Sequence, residues 1–267
     1  MRRSTGYFLA GVALLLIIAF AVPFFLNRTE DTGAPDRRLV VYTYSSFPAA
    51  EIVDAFEEKY DAELVFVSPG GAGSILSRLI TELDTGGTEA DVFLGLADTS
   101  IPQALRHDVF EPYDPSLLTN LADIPADLLI DKTGHVLPFN YGYISLVYHP
   151  ERIGNIELPA SLEDLTDPRF AGKIIAMDAS SSTGQAFLMW TIAEFGEDGY
   201  LDYWRRLKPN LLTITNSWST GYQMFENGEA PIIVSYATDR VVAAVYGSEP
   251  VHEILLPNGQ AYRQVEM

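Results

Sequence analysis

Residues 39–47, LVVYTYSSF, begin as an apolar, β-prone run and end in hydroxyls interleaved with aromatic rings. Such an end suits a half-exposed edge strand, or one wall of a small-molecule site where rings stack and hydroxyls hydrogen-bond. Four other stretches have comparable content. PGGAGS at 69–74 is either a flexible turn or a loop offering backbone N–H groups to a ligand. It has neither the third glycine of a dinucleotide fingerprint nor the lysine of a phosphate-binding loop. SSSTG at 180–184 either caps a helix or contacts an anion. TNSWSTGY at 215–222 sets Trp218 in a polar loop, tucked beneath it or presented as a stacking face. VSYATD at 234–239 closes a strand with Tyr236, Thr238 and Asp239, the last a ligand contact or the cap of the next helix.

Covalent catalysis lacks its usual parts. The chain has no cysteine and no G-x-S-x-G. His107, His135, His149 and His252 are scattered, with no pair at metal-ligand spacing, which argues against a zinc enzyme. From these residues no metal site and no cofactor is expected. A formal charge of −19, from 36 acids against 17 basic residues, argues against nucleic acid and is compatible with a cationic ligand.

These stretches must be held by a sizeable fold, and 267 residues supply the core for one large domain or two smaller ones. Arg2 and Arg3 precede an uncharged, mostly apolar run at 7–26, and acids follow it. The run is long enough to span a bilayer, while Ala19-Phe20-Ala21 offers a signal-peptide cleavage site. Anchor and cleaved signal both place the body outside the cytoplasm. Residues 27–38 read as a linker.

From there strand and helix alternate. Ile52, Val53, Phe56 and Tyr60 predict an amphipathic helix, and 62–67 a second strand. Ile75, Leu76, Leu79, Ile80 and Leu83 stripe another helix, stopped by Gly86-Gly87. The apolar run 91–96 predicts a strand buried on both faces. Further strands are expected at 139–148, 173–177, 211–215 and 231–236. Ser161 and Asp164 form a capping-box pattern, two helices follow residue 184, and Asn258-Gly259 marks a hairpin turn. The ligand-like loops all lie at carboxyl ends of these strands, where open α/β sheets bind small molecules.

VYTYSSF, ADVFLGL, FNYGYISLVY, TNSWSTGY and IIVSYATD follow one another in an order and spacing that resemble the thiamine-binding periplasmic proteins of ABC transporters. The likeness runs from about residue 39 to the end, whereas SLEDLTDPRFAGKI is shared more widely among solute receptors. The resemblance implies a type II periplasmic-binding fold: two α/β lobes joined by crossing hinge strands at 143–148 and 232–236. Lobe 1 would span 39–140, lobe 2 141–238, and 239–267 would return to lobe 1. It implies a monomeric receptor for thiamine, thiamine monophosphate or thiamine diphosphate that hands its solute to a membrane permease of an ABC importer. By matched motifs, the ligand positions fall on Tyr44, Gly71, Ala72, Ser182, Thr183, Trp218, Tyr236, Ala237, Thr238 and Asp239. The family continues some tens of residues further, so Met267 reads as an early end. Alternatives are a receptor for another solute such as ferric iron, and a membrane-tethered sensor without transport. Iron-binding cousins offer adjacent tyrosines, whereas Ala237 follows Tyr236 here.

Overall fold

The structure, a computed structural model, describes residues 37–44, 47, 50–68, 70–245 and 251–267. The apolar run 7–26, most of the expected linker, and Ser45, Ser46 and Pro69 lie outside the described residues. Among the described residues no helix is long and apolar enough to cross a membrane.

The first lobe comprises β1 (Arg38–Thr43), α1 (Ala50–Tyr60), β2 (Glu63–Val67), α2 (Ala72–Asp84), β3 (Val92–Leu94) and α3 (Ile101–Arg106). Its strands form a parallel sheet of order β2-β1-β3. Central β1 buries Val40, Val41, Tyr42 and Thr43, as a strand covered on both faces must. The 3.6-residue stripe of α2 lands Ile75, Leu76 and Leu79 in the core, while Leu83 stays exposed. Helix α1 docks less deeply than its pattern suggests, with Ile52 and Tyr60 exposed. β3 also departs from expectation. It is short, Val92 is exposed, and positive φ at Gly95 ends it. Beyond that turn, the N–H groups of Gly95 and Leu96 donate to the Met267 carbonyl at 2.7 and 3.1 Å.

The second lobe is built from β4 (Asn140–Tyr148), α4 (Pro150–Ile153), β5 (Ile174–Met177), α5 (Ser182–Leu207), β6 (Leu211–Thr215), α6 (Trp218–Glu226), β7 (Ile232–Tyr236), α7 (Asp239–Val245), β8 (Glu253–Leu255) and β9 (Tyr262–Glu266). Strand order is β6-β5-β7-β4-β8, with β9 also pairing to β4. β5 is wholly buried and β7 nearly so; they carry a core that includes Phe170, Phe187, Tyr203 and Phe225. The two helices expected after residue 184 form one span broken at Gly196, where φ is +74°. The capping box is made reciprocally: Ser161 N–H donates to Asp164 Oδ2 at 3.0 Å, and Asp164 N–H to Ser161 Oγ at 3.2 Å. It opens a 3-10 turn rather than an α-helix.

The expected hairpin at 258–259 does not form. β8 and β9 both run antiparallel to β4, opposite Leu146–Tyr148 and Asn140–Ile144 respectively, as one strand interrupted by a turn. Pro257 has no N–H for the ladder, and φ of +54° at Asn258 carries the chain outward before it resumes. This changes the expected crossing. β7 ends inside the second sheet and turns into α7, and the second passage between lobes is made by the end of β9. There Glu266 bridges Ala97, and Phe139 N–H donates to the Glu266 carbonyl at 2.9 Å.

Candidate functional site

A cavity of about 700 Å³ lies between the lobes, in the size range of small-molecule sites. Its walls are carboxyl-end loops: Tyr44 after β1, Gly70–Ala72 after β2, Ser180–Thr183 after β5, Asn216–Thr220 after β6, and Tyr236 with Thr238 after β7. Its floor is the β4/β9 ladder, through Asn140, Tyr141, Gly142, Gln264 and Glu266.

Three helices begin at this cavity. α5 is capped by Ser181, whose Oγ accepts from Gly184 N–H at 3.0 Å, and α6 by Ser217, whose Oγ accepts from Thr220 N–H at 3.2 Å. α2 starts at Gly71 with no side-chain cap. First-turn N–H groups have no partner within their own helix, and their dipoles favour an anionic group. Between α2 and α5 the lobes meet closely: a Cβ on Gly73 would stand 2.7 Å from the Ser180 carbonyl oxygen, a separation only glycine permits. The hydroxyls of Thr99 and Ser100 also reach across, donating to Gln185 Oε1 at 2.7 and 3.0 Å.

Beside these donors stand aromatic rings. Trp218 is the first residue of α6 rather than a loop residue, because Ser217 caps the helix just before it. It stacks on Tyr222 at 4.7 Å, meets the Tyr236 ring edge-on at 6.1 Å, and donates Nε1–H to Ser235 Oγ at 3.0 Å. The Tyr236 ring lies across Gly142, where a Cβ would approach to 3.1 Å. Its hydroxyl donates to Gln264 Oε1 at 3.3 Å and lies 3.4 Å from Thr183 Oγ1. Gln264 Nε2 donates in turn to Glu266 Oε1 at 3.4 Å. Glu266 Oε2 accepts from the Tyr44 hydroxyl at 3.3 Å and from Asn140 Nδ2 at 3.1 Å. Burial, with the Glu266 carboxylate nearby, pushes the Tyr236 phenol up to about 12 and raises Tyr44 further. Burial raises Glu266 itself, partly offset by its hydrogen bonds from Asn140 and Tyr44.

Tyr44, Gly71, Ala72, Ser182, Thr183, Trp218, Tyr236 and Thr238 thus come together on one cavity, whereas Ala237 and Asp239 are not among its lining residues. Ala237 is used by the backbone, its N–H donating to the Tyr143 carbonyl at 2.8 Å. Asp239 opens α7 with a side chain only 7% exposed, behind the Trp218–Tyr222 stack. It accepts from the Tyr222 hydroxyl at 2.6 Å and contacts His252 Nδ1 at 3.1 Å. Its short reach is taken up by these neighbours, so it braces the stack from outside the cavity.

Sequence reasoning misses the floor. Gln264 and Glu266 alternate with Arg263 and Val265, a pattern that reads in sequence as a solvent-facing edge, yet they are 1% and 8% exposed. The one available signal is two long polar side chains on one face of a strand next to a hinge. Among the described residues, no cluster of three His, Cys, Asp or Glu side chains is placed to hold a metal ion.

A family model described as bacterial extracellular solute-binding protein matches residues 88–253. The chain is 31% identical over 263 residues to the thiamine-binding periplasmic protein of Brucella abortus, covering 95% of this chain and 75% of that one. A solved periplasmic thiamin binding protein superposes with a TM-score of 0.71 at 28% identity, over 86% of this chain and 71% of its own. The ferric binding protein from Campylobacter jejuni shares the fold, with a TM-score of 0.68 at 21% identity over 85% of this chain and 74% of its own.

Proposed function

The chain belongs to the bacterial extracellular solute-binding protein family, and from that we propose that it captures thiamine or a thiamine phosphate between its lobes for an ABC permease. The observation that carries this reading is the pairing of Trp218, Tyr236 and Tyr44 with a cradle of hydroxyls and helix starts across one cavity. Thiamine has the matching halves. Its flat aminopyrimidine and permanently charged thiazolium suit aromatic faces, by stacking and by cation–π attraction. Its hydroxyethyl arm, or a phosphate upon it, suits the N–H groups and hydroxyls at the starts of α2, α5 and α6. The relatives that carry thiamine-binding names support the same ligand.

The protein acts by binding alone, as a monomer, with its body outside the cytoplasm and residues 7–26 serving as anchor or export signal. An alkaline phosphatase fusion at Met267 is expected to be active, and an inactive fusion would overturn the export reading. The ligand is tested by isothermal titration of the full chain with thiamine, thiamine monophosphate, thiamine diphosphate and ferric citrate. Saturable one-to-one binding of a thiamine compound, without binding of ferric citrate, is expected. Failure of all three thiamine compounds would sink the proposal.

A further inference from the structure

Glu266 is the acid that the cavity holds, and the cavity holds no base: among its described lining residues there is no lysine, arginine, histidine or second carboxylate. The side chain is set in place, not merely near. Its residue is 92% buried by its 8% exposure, and Tyr44, Asn140 and Gln264 each aim a neutral donor at it. Gln264 is itself oriented, since its Oε1 accepts from Tyr236 and leaves only Nε2 for the carboxylate. Neutral donors position a carboxylate but do not neutralise it. A buried charge left without a counter-ion is costly, and a cationic ligand supplies that counter-ion when it enters.

We propose that Glu266 makes this cleft select a positively charged ring over a neutral ring of the same shape, an inference that rests on the proposed capture of thiamine. The charge acts where the aromatic faces act, because Glu266 touches Tyr44 and is joined to Tyr236 through Gln264. Stacking alone would accept either ring. The carboxylate adds attraction for one of them, and in a partly dry cleft that attraction amounts to roughly 10- to 30-fold in affinity.

The surroundings of Glu266 also set the direction of a pH effect. It faces Tyr44 at the end of β1, Asn140 on β4, Ser182 on α5 and Tyr236 on β7. Asp98, in the turn after β3, bears on it as a like charge, and Arg263 on β9 is engaged by Asp127 at 2.8 Å. Burial first, then Asp98, raise its proton affinity relative to a free carboxylate. Affinity for a cation is full while the carboxylate is ionised and falls as acid protonates it.

The test is titration calorimetry of the full chain and of its Glu266→Gln variant. The probes are thiamine and 3-deazathiamine, a neutral isostere in which carbon replaces the charged ring nitrogen. The wild type is expected to favour thiamine by about 10-fold or more, and the variant by less than about 3-fold, with the change falling on thiamine. Equal loss of both ligands would mark Glu266 as structural, and unchanged binding of both would mark it as idle; each result overturns the proposal. If the variant does not fold, the wild type decides: its preference for thiamine must shrink as the pH falls from 7 down through the carboxylate range, and a constant preference refutes the role. If neither compound binds the wild type, the thiamine reading fails and a second pair, N-methylpyridinium and toluene, is compared by thermal shift. Stabilisation by the cation in the wild type but not in Glu266→Gln upholds the role of Glu266, and no difference overturns it.

Discussion

Replacing Trp218 tests how the aromatic wall works, because the residue faces both the cavity and the protein. On the cavity side it offers an indole face, worth about 1–2 kcal/mol against a flat cation in a partly dry site. Loss of a central anchor of this kind commonly costs roughly 2 kcal/mol or more, so Trp218→Ala is expected to weaken thiamine binding about 30-fold or more. On the protein side it stacks on Tyr222 and satisfies Ser235, which is 1% exposed. The lost stack accounts for about 1 kcal/mol, and a buried hydroxyl left without its donor for about 1–2 more. A loop tryptophan would have spared the fold; at the start of α6 it does not, and the melting temperature should drop by roughly 5–10 °C. Trp218→Phe separates the two sides. Phenylalanine keeps a ring over the cavity but has no N–H for Ser235, so affinity should stay within about 5-fold while about 1 kcal/mol of stability is lost. Calorimetric titration and thermal unfolding of both variants read the two quantities together. Wild-type affinity in Trp218→Ala alongside a lower melting temperature would refute the stacking argument.

Gly73→Ala should weaken ligand binding about 10-fold or more, because its methyl group meets the Ser180 carbonyl at 2.7 Å, while thermal stability changes by less than about 1 kcal/mol. Wild-type affinity in that variant would show that the two loops need not approach so closely. Asp131 gives a pH-dependent case: burial raises its pKa, but hydrogen bonds from Thr133, His135 and Val136 outweigh this and bring it down to about 2. A depressed carboxylate contributes stability above its unfolded value and loses it as pH falls through the folded one. Asp131→Asn should therefore cost about 1 kcal/mol at pH 7 after solvent screening, with the difference from wild type closing between pH 4 and pH 2. A difference constant over that range in denaturant titrations would rule the mechanism out.

Patterns that depend on local spacing can be read directly from the amino-acid order. The stripe of α2, the apolar runs of β5 and β7, and the reciprocal pair Ser161–Asp164 each follow from a period or a cap within a few residues. The loop walls of the cavity are legible for the same reason, since each follows a recognisable strand. What stays hidden depends on partners far along the chain. Asn258 does turn the backbone, but whether β8 and β9 pair with each other or both with β4 is decided by the long edge that β4 presents. Gln264 and Glu266 look solvent-facing until Tyr236, Tyr44 and Asn140 are packed against them. Asp239 is left open by sequence because an acid after a strand fits a ligand contact as well as it fits Tyr222 and His252, and only packing distinguishes them.

The β4/β9 ladder has two duties at once, and this bears on how occupancy is reported to the outside. Asn140 and Glu266 sit where the described chain enters the second lobe and where it leaves it, and both line the cavity. A solute resting on that ladder therefore lies on the axle about which the lobes would turn. Any rotation of one lobe twists the pairing of Asn140 with Glu266 and of Gly142 with Gln264, and so shifts the groups that hold the solute. On the proposed transport role, grip and rotation would be one mechanical variable: a tightly held solute would stiffen the axle, and a membrane partner that twisted the axle would loosen the grip. Release would then need no entry of a competitor into the cavity, only torque applied to the lobes from beyond it.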